Sequence, residues 1–310
     1  MCERTFFDRE YAKQDLTYAQ FLHMMDQFPG LHYANATGEG SSFCNPGFPA
    51  MLKWLYEHDI YVTAIDSFAV ITEAQMRHLI DYVKKVPVSL DGATKEIYES
   101  VRVGAHFEEV VGNLQRFAKL RNECGSPTPE LTYRMIFFKH NWMDVPKYPA
   151  LVERLLPKKR EGDDGLMEFA ALLEFSQTKD WVVELSQEII EETEANARQR
   201  GLRCVWSHAS HRPEDKRPNN QCAAPAEPYI DIRGNVLSCC AVLQTLQRPF
   251  LEAHAFGNVR TQSFRDIWDS PRYREFRRSV PKATGPVPRI CVGCRAFDTT
   301  AREQAYGVAE

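Results

Sequence analysis

Strand-like and helix-like segments alternate along most of this chain, and that alternation constrains its fold more than any other feature. The run "TYAQFLHMMDQF" opens at Thr17, a residue suited to cap a helix, and sets Phe21, Met24, Met25 and Phe28 on one face. "LHYANAT" (31–37) reads as a strand and leads into a Gly-rich turn; "GFPAMLKWLYEH" reads as a helix and "IYVTAI" (60–65) as a strand. "ITEAQMRHLIDYVKK" is the next helix, capped at Thr72, and "VPVSLD" (86–91) the next strand. "HFEEVVGNLQRFAKLRNE" is strongly amphipathic, "ELTYRMIFF" (130–138) is a strand, and "WMDVPKYPALVERLL" is a helix interrupted by prolines. The apolar run "LMEFAALLEF" takes its assignment, a strand, from its place in the series. "DWVVELSQEIIEETEANARQRG" predicts a helix ended by Gly201, and "LRCVW" a last strand. Repeated strand-then-helix units require parallel strands with helices outside them, hence a barrel or an open doubly wound sheet.

The series breaks at "SHASHRPEDKRPNNQ" (207–221), a polar stretch without periodicity that predicts a linker between a domain at 1–206 and a smaller one at 222–310. Beyond it, "YIDIRG" and "NVLSCC" flank a Gly turn as a hairpin would, and two short helices follow, "SFRDIWDS" and "PRYREFRRSV". The formal charge of −4 argues against a nucleic-acid partner, and "RYREFRRSVPK" (272–282) reads as a solvated helix face. No apolar run approaches the roughly 18 residues that a membrane span needs, and the N-terminus has no secretory h-region. A cytoplasmic location is expected. Nine cysteines in such a compartment are more often metal ligands or reactive groups than disulfides.

The cysteines form a constellation. Cys222 is followed by eleven residues, Gly234, four residues and Cys239; Cys291-x-x-Cys294 closes the set. Two intervening residues turn the chain within a metal's width, so a C-x-x-C knuckle aims both thiolates at one centre. Cys239 and Cys240 are adjacent and their side chains diverge; Cys239 completes the spacing from Gly234 and is the expected ligand. Spacing alone leaves three readings open: four buried thiols, a tetrahedral zinc site, or an iron–sulfur site. Cys44, Cys124 and Cys204 stand alone and read as small buried hydrophobes.

The first two hundred residues resemble the radical S-adenosylmethionine (SAM) enzymes, and the C-terminal segment resembles the SPASM-type auxiliary-cluster domain that often follows that core. The resemblance rests on "VSLDGATKEIYESVRVGAHFEEVVGNLQRF" (88–117) and on "CAAPAEPYIDIRGNVLSCC", "FGNVRTQSFRDIWDSPRYREFRR" and "CVGC" in that order. It implies an α/β fold, a partial (β/α)6 barrel lacking its first strand, followed by a small cysteine-rich domain. The active site then lies at the C-terminal ends of the strands. "ATGEGSSF" (36–43) occupies the place of the family's Gly-Gly-Glu-type SAM loop, with Gly38 and Gly40 letting backbone approach the cofactor and Glu39 or Ser41 in the acidic slot. Asp66, Ser67, Ser89 and Asp91 fall where the family places polar groups near the cofactor's ribose. Arg134 is placed to pair with the cofactor's carboxylate.

The family's first cluster is held by a C-x3-C-x2-C loop, of which Cys2 resembles the last cysteine. The sequence predicts a chain that begins at an internal methionine of a longer protein, and one that by itself cannot hold that [4Fe–4S] cluster securely. The resemblance further implies an auxiliary [4Fe–4S] cluster on Cys222, Cys239, Cys291 and Cys294. In the intact enzyme, reductive cleavage of SAM yields a 5′-deoxyadenosyl radical that takes hydrogen from a peptide or small-molecule substrate. A flavodoxin or ferredoxin is the implied electron donor. The rival reading is a non-catalytic four-cysteine module, zinc or iron–sulfur, on a degenerate barrel.

Overall fold

The structure, a computed structural model, describes residues 14–38, 40–156, 165–172, 178–207, 227–239, 252–280, 285–291 and 304–309. These residues fall into two compact units: 31–172 with 181–207, and 14–30 with 178–180 and the segments from 227 onward. In the first unit one sheet contains β1 (Tyr33–Asn35), β2 (Tyr61–Thr63), β3 (Lys85–Ser89), β4 (Glu130–Phe137), β5 (Leu166–Ala171) and β6 (Arg203–Ser207). The strands pair in sequence order, each parallel to the next. Parallel neighbours cannot be joined by a tight hairpin, so each junction needs a crossover. Helices Phe48–Glu57, Glu73–Tyr82, Lys95–Val101 with Phe107–Glu123, Tyr148–Leu155, and Gln187–Gln199 supply these in turn. Among the described residues β1 and β6 are edges that do not pair with each other, so the sheet is open, as a partial barrel requires.

Local chemistry sets the helix boundaries. The Thr72 hydroxyl accepts the Gln75 N–H at 3.3 Å while the Gln75 side-chain oxygen accepts the Thr72 N–H at 2.8 Å, a reciprocal cap. The prolines divide their run into a 3-10 turn, Trp142–Lys147, and the helix Tyr148–Leu155, with Pro149 in its first turn where a missing N–H is harmless. The helix expected from Asp180 begins only at Gln187. Gly201, at φ +62°, lies just past its end.

The two faces of the sheet differ. Tyr133, Met135 and Phe137 of β4 and Met167 and Phe169 of β5 are fully buried, and Phe169 packs between Tyr148 (5.4 Å) and Trp206 (4.6 Å, stacked). The alternate positions Ser89, Arg134, Ile136, Glu168 and Val205 are half-buried or exposed. A parallel sheet covered on both faces reads as a continuous apolar run. Here the alternation marks one face as packed and the other as open and partly polar.

The second unit is built on a hairpin, Tyr229–Ile230 with Asn235–Leu237, joined by Gly257–Asn258 as a third antiparallel strand. Its turn has Gly234 at φ +87° and is tied by Asp231, whose Oδ1 accepts the N–H groups of Arg233 (2.8 Å) and Asn235 (2.9 Å). Val236, Val259, Ile267, Tyr273, Phe276 and Val280 form the core, together with Met24. Met24 comes from the helix Tyr18–Met25, and Phe28 beyond it meets Phe264 at 4.5 Å, which is why residues 14–30 group with this unit.

Gly92, directly after β3, is the closest backbone approach near the strand ends. A Cβ there would stand 2.6 Å from the Tyr98 nitrogen and 2.7 Å from its Cα. Gly92→Ala is expected to destabilise the fold by about 1–3 kcal/mol, the range for overpacking a close-packed site. The check is a lower urea midpoint at unchanged slope; an unchanged midpoint would mean that the helix Lys95–Val101 yields without cost.

Candidate functional site

The segments that leave the C-terminal ends of β1 and β2 are sewn together by side chains. The Thr37 hydroxyl donates to Asn35 Oδ1 and accepts the Ile65 N–H at 3.1 Å, binding the loop after β1 to the end of β2. Ser42 Oγ donates to the Ala36 carbonyl and accepts the Gly38 N–H, each at 3.4 Å. Ser41 Oγ donates to Asp66 Oδ2 at 3.3 Å. The loop that carries Gly38 and Gly40 is thereby tied through Ser41 to Asp66. Gly40 adopts φ +125°, a conformation that side chains resist. Glu39 and Cys2 lie outside the described residues.

The turn after Asp66 is strained. Phe68 is fully buried at φ +55°, a conformation that costs a bulky residue about 1–3 kcal/mol. Two clamps offset this: Asp66 Oδ1 accepts the Phe68 N–H at 2.6 Å, and Asn113 Nδ2 donates to the Phe68 carbonyl at 2.8 Å. These clamps fix the turn that carries Asp66 and Ser67. Burial raises the Asp66 pKa above the ordinary carboxylate value, against the lowering pull of the Phe68 N–H, the Ser41 hydroxyl and the Arg102 charge.

The next strand ends divide into wall and rim. Asp91 belongs to the wall: Oδ1 accepts the Ile136 N–H at 2.9 Å, and Oδ2 accepts Arg102 Nε at 2.8 Å and Nη2 at 2.5 Å. Asn141 donates to the Asp91 and Ile136 carbonyls at 3.0 and 2.9 Å, and Asp144 Oδ2 caps the N–H groups of Ala93 and Thr94 at 2.9 and 2.8 Å. Ser89 and Arg134 belong to the open face, in register on adjacent strands, and the next residue in that row is Glu168. Arg134 donates to Glu168 Oε2 through Nε at 2.8 Å and Nη2 at 2.7 Å. Sequence reading did not single out Asn113, Asn141, Asp144, Arg102 or Glu168; each acts on a partner distant in sequence or in another element, and no local motif marks it.

In the second unit Cys239 follows the hairpin and packs with Ile290 around the buried Leu237. Ile290 and Cys291 also border the main core of that unit. The hairpin thiol and the first thiol of the knuckle thus border two apolar clusters that have Ile290 in common, and both are half-buried. Cys222 and Cys294 lie outside the described residues.

Asp66 yields a test of this geometry. With a raised folded pKa, the unfolded chain ionises first as pH rises, so the native state loses stability from about pH 4 up through the folded pKa. Asp66→Asn is expected to remove this loss. Its stability relative to the unmodified chain should grow as pH rises through that window in urea titrations, and a difference that is flat with pH would contradict the buried placement.

Residues 222–295 match the sequence profile of the SPASM iron–sulfur cluster-binding domain. Over 294 residues the chain is 24% identical to the tungsten-containing aldehyde ferredoxin oxidoreductase cofactor-modifying protein of Pyrococcus furiosus, a match covering 89% of this chain and 79% of that protein. In fold it is similar to Streptococcus suis SuiB bound to S-adenosylmethionine, with a TM-score of 0.62 at 15% identity over 91% of this chain. It spans 64% of the length of that SuiB chain. It is also similar to anSMEcpe with bound AdoMet, with a TM-score of 0.57 at 15% identity over 96% of this chain and 80% of the other. With its open parallel α/β sheet the chain shares the fold of these S-adenosylmethionine-bound proteins, and residues 222–295 carry a SPASM iron–sulfur cluster-binding domain.

Proposed function

We propose that this chain is the barrel and auxiliary-cluster portion of a radical SAM oxidoreductase that draws hydrogen from a peptide. One observation carries the reading: a parallel sheet open on one face, with polar groups at its C-terminal rim, stands in the same chain as an iron–sulfur cluster-binding domain. The donor set suits the cofactor. Backbone at Gly38 and Gly40 would meet its methionyl end, with Glu39 or Ser41 in the acidic slot, Asp66, Ser67 and Ser89 would meet its ribose, and Arg134 its carboxylate. Asp91, saturated by Arg102 and Ile136, would hold the rim in place and touch the ribose only through its neighbours. Cys2 would contribute a thiolate to the cluster beside the cofactor. Cys222, Cys239, Cys291 and Cys294 would hold the auxiliary cluster; Cys239 packs on Leu237 and Cys291 borders the neighbouring core, with Ile290 common to both.

A cluster held beside the cofactor, with Cys2 among its ligands, would supply the one-electron reductive chemistry that opens S-adenosylmethionine for hydrogen abstraction from substrate. The chain's own residues perform placement: the strained Phe68 turn and the Asp91 network keep the rim rigid, and the open face leaves room for substrate. A reduced flavodoxin or ferredoxin is the donor in this reading. A peptide is favoured as substrate because SuiB has been solved with the precursor peptide SuiA and anSMEcpe with the Cp18Cys peptide.

The test is equilibrium binding of S-adenosylmethionine, followed under anaerobic reduction by quantification of 5′-deoxyadenosine with and without peptide. One cofactor should bind per chain, and Arg134→Ala should weaken it at least about tenfold, from the roughly 1.5–3 kcal/mol of a hydrogen bond to a charged group. Peptide should raise 5′-deoxyadenosine formation; absence of cofactor binding would refute the reading, and stimulation by small molecules alone would move the substrate class. At the auxiliary site, Cys239→Ser should lower bound iron and Cys240→Ser should leave it unchanged. The reverse result would exchange their roles.

A further inference from the structure

Glu168 lies outside the residues that the sequence pattern selects, yet it determines how Arg134 stands. Both Arg134 contacts, Nε at 2.8 Å and Nη2 at 2.7 Å, go to the single oxygen Oε2, so one edge of the guanidinium is engaged and the Nη1 side of the fork lies outside the pair. The two side chains are neighbours in register on β4 and β5, on the face that the helices do not cover. Their side chains retain 30% and 17% exposure. A partly buried pair of this kind is screened less than an exposed one and holds its geometry. A lone arginine on an open face, by contrast, samples many rotamers, and a ligand that recruits it must bear the cost of ordering it.

We propose that Glu168 is the positioning residue that presents Arg134 to the carboxylate of S-adenosylmethionine. It orders the guanidinium beforehand along one edge, so that the remaining N–H donors meet an incoming carboxylate in a fixed geometry. Ser89 is the register partner of Arg134 on β3. The arrangement trades charge for orientation: Glu168 offsets part of the arginine's attraction for an anion and in return removes its freedom. This inference rests on the cofactor reading above.

The experiment compares S-adenosylmethionine with decarboxylated S-adenosylmethionine, which lacks the group that Arg134 would meet. Calorimetric affinities are measured for the full chain, Glu168→Gln and Glu168→Ala, with unfolding midpoints alongside. The unmodified chain should prefer S-adenosylmethionine by about tenfold or more, the scale of a charge-assisted hydrogen bond. Glu168→Ala should lose most of that preference while its affinity for the decarboxylated compound stays within about threefold, and Glu168→Gln, which keeps an oxygen acceptor, should recover part of it. A merely structural role would weaken both ligands together and overturn the proposal. Tighter binding of S-adenosylmethionine by Glu168→Ala would show competition instead of positioning and would also overturn it. If Glu168→Ala does not fold, the preference of Glu168→Gln decides: an undiminished preference overturns the proposal and a reduced one supports it. Failure of the unmodified chain to bind either compound would refute the cofactor reading itself.

Discussion

Parallel pairing is the constraint on which the rest of the first unit depends. A strand that pairs in parallel with its predecessor must be reached by a crossover, so every β-strand from β1 to β6 runs the same way and ends at the same rim. The crossover helices then take one face of the sheet, and Tyr133, Met135, Phe137, Met167 and Phe169 are buried beneath them. The opposite face keeps Ser89, Arg134 and Glu168 in one register row. The chain's irregular, hydrogen-bonding segments collect at the rim because parallel pairing ends every strand there.

An open rim is costly to hold in shape, since its loops lack ladder partners. Buried polar side chains take over that work. Asp91, Asn141 and Asp144 satisfy backbone groups from segments roughly fifty residues away in sequence, and Asn113 does the same for Phe68. An unsatisfied buried backbone group costs about 1–3 kcal/mol, so each of these side chains weighs more than an exposed ion pair such as Lys53–Glu57. Two tyrosines behind this wall, Tyr98 and Tyr148, are fully buried, and burial pushes the Tyr98 pKa up to about 12. They serve packing and stay neutral.

Much of this could be read from the sequence where short-range rules apply. The Thr17 and Thr72 caps, the helical spacing of 107–123 and the Gly234 hairpin depend on residues within four positions of one another, and the structure has each of them. The six strands fall where the alternation places them. The helix Tyr18–Met25 was legible as a helix, but its grouping with the second unit was not: an apolar face with Met24 could pack on either unit, and the choice depends on distant partners such as Ile267 and Tyr273. The same limit applies at the site. Gly38, Ser41, Asp66 and Ser67 stand at strand ends and could be picked out by position. The pairing of Arg134 with Glu168, the wall role of Asp91 and the left-handed Phe68 depend on register between strands, which no local pattern encodes.

The second unit carries the iron–sulfur cluster-binding domain, in which Cys239 and Cys291 border apolar clusters that have Ile290 in common. The measurement that tests it most directly is iron, sulfide and zinc analysis of the anaerobically purified 310-residue chain, taken with its visible spectrum. The account predicts about four irons with matching sulfide per chain, the content of one cubane cluster. One zinc and no iron would contradict it and leave a metal-stabilised module in place of a redox domain.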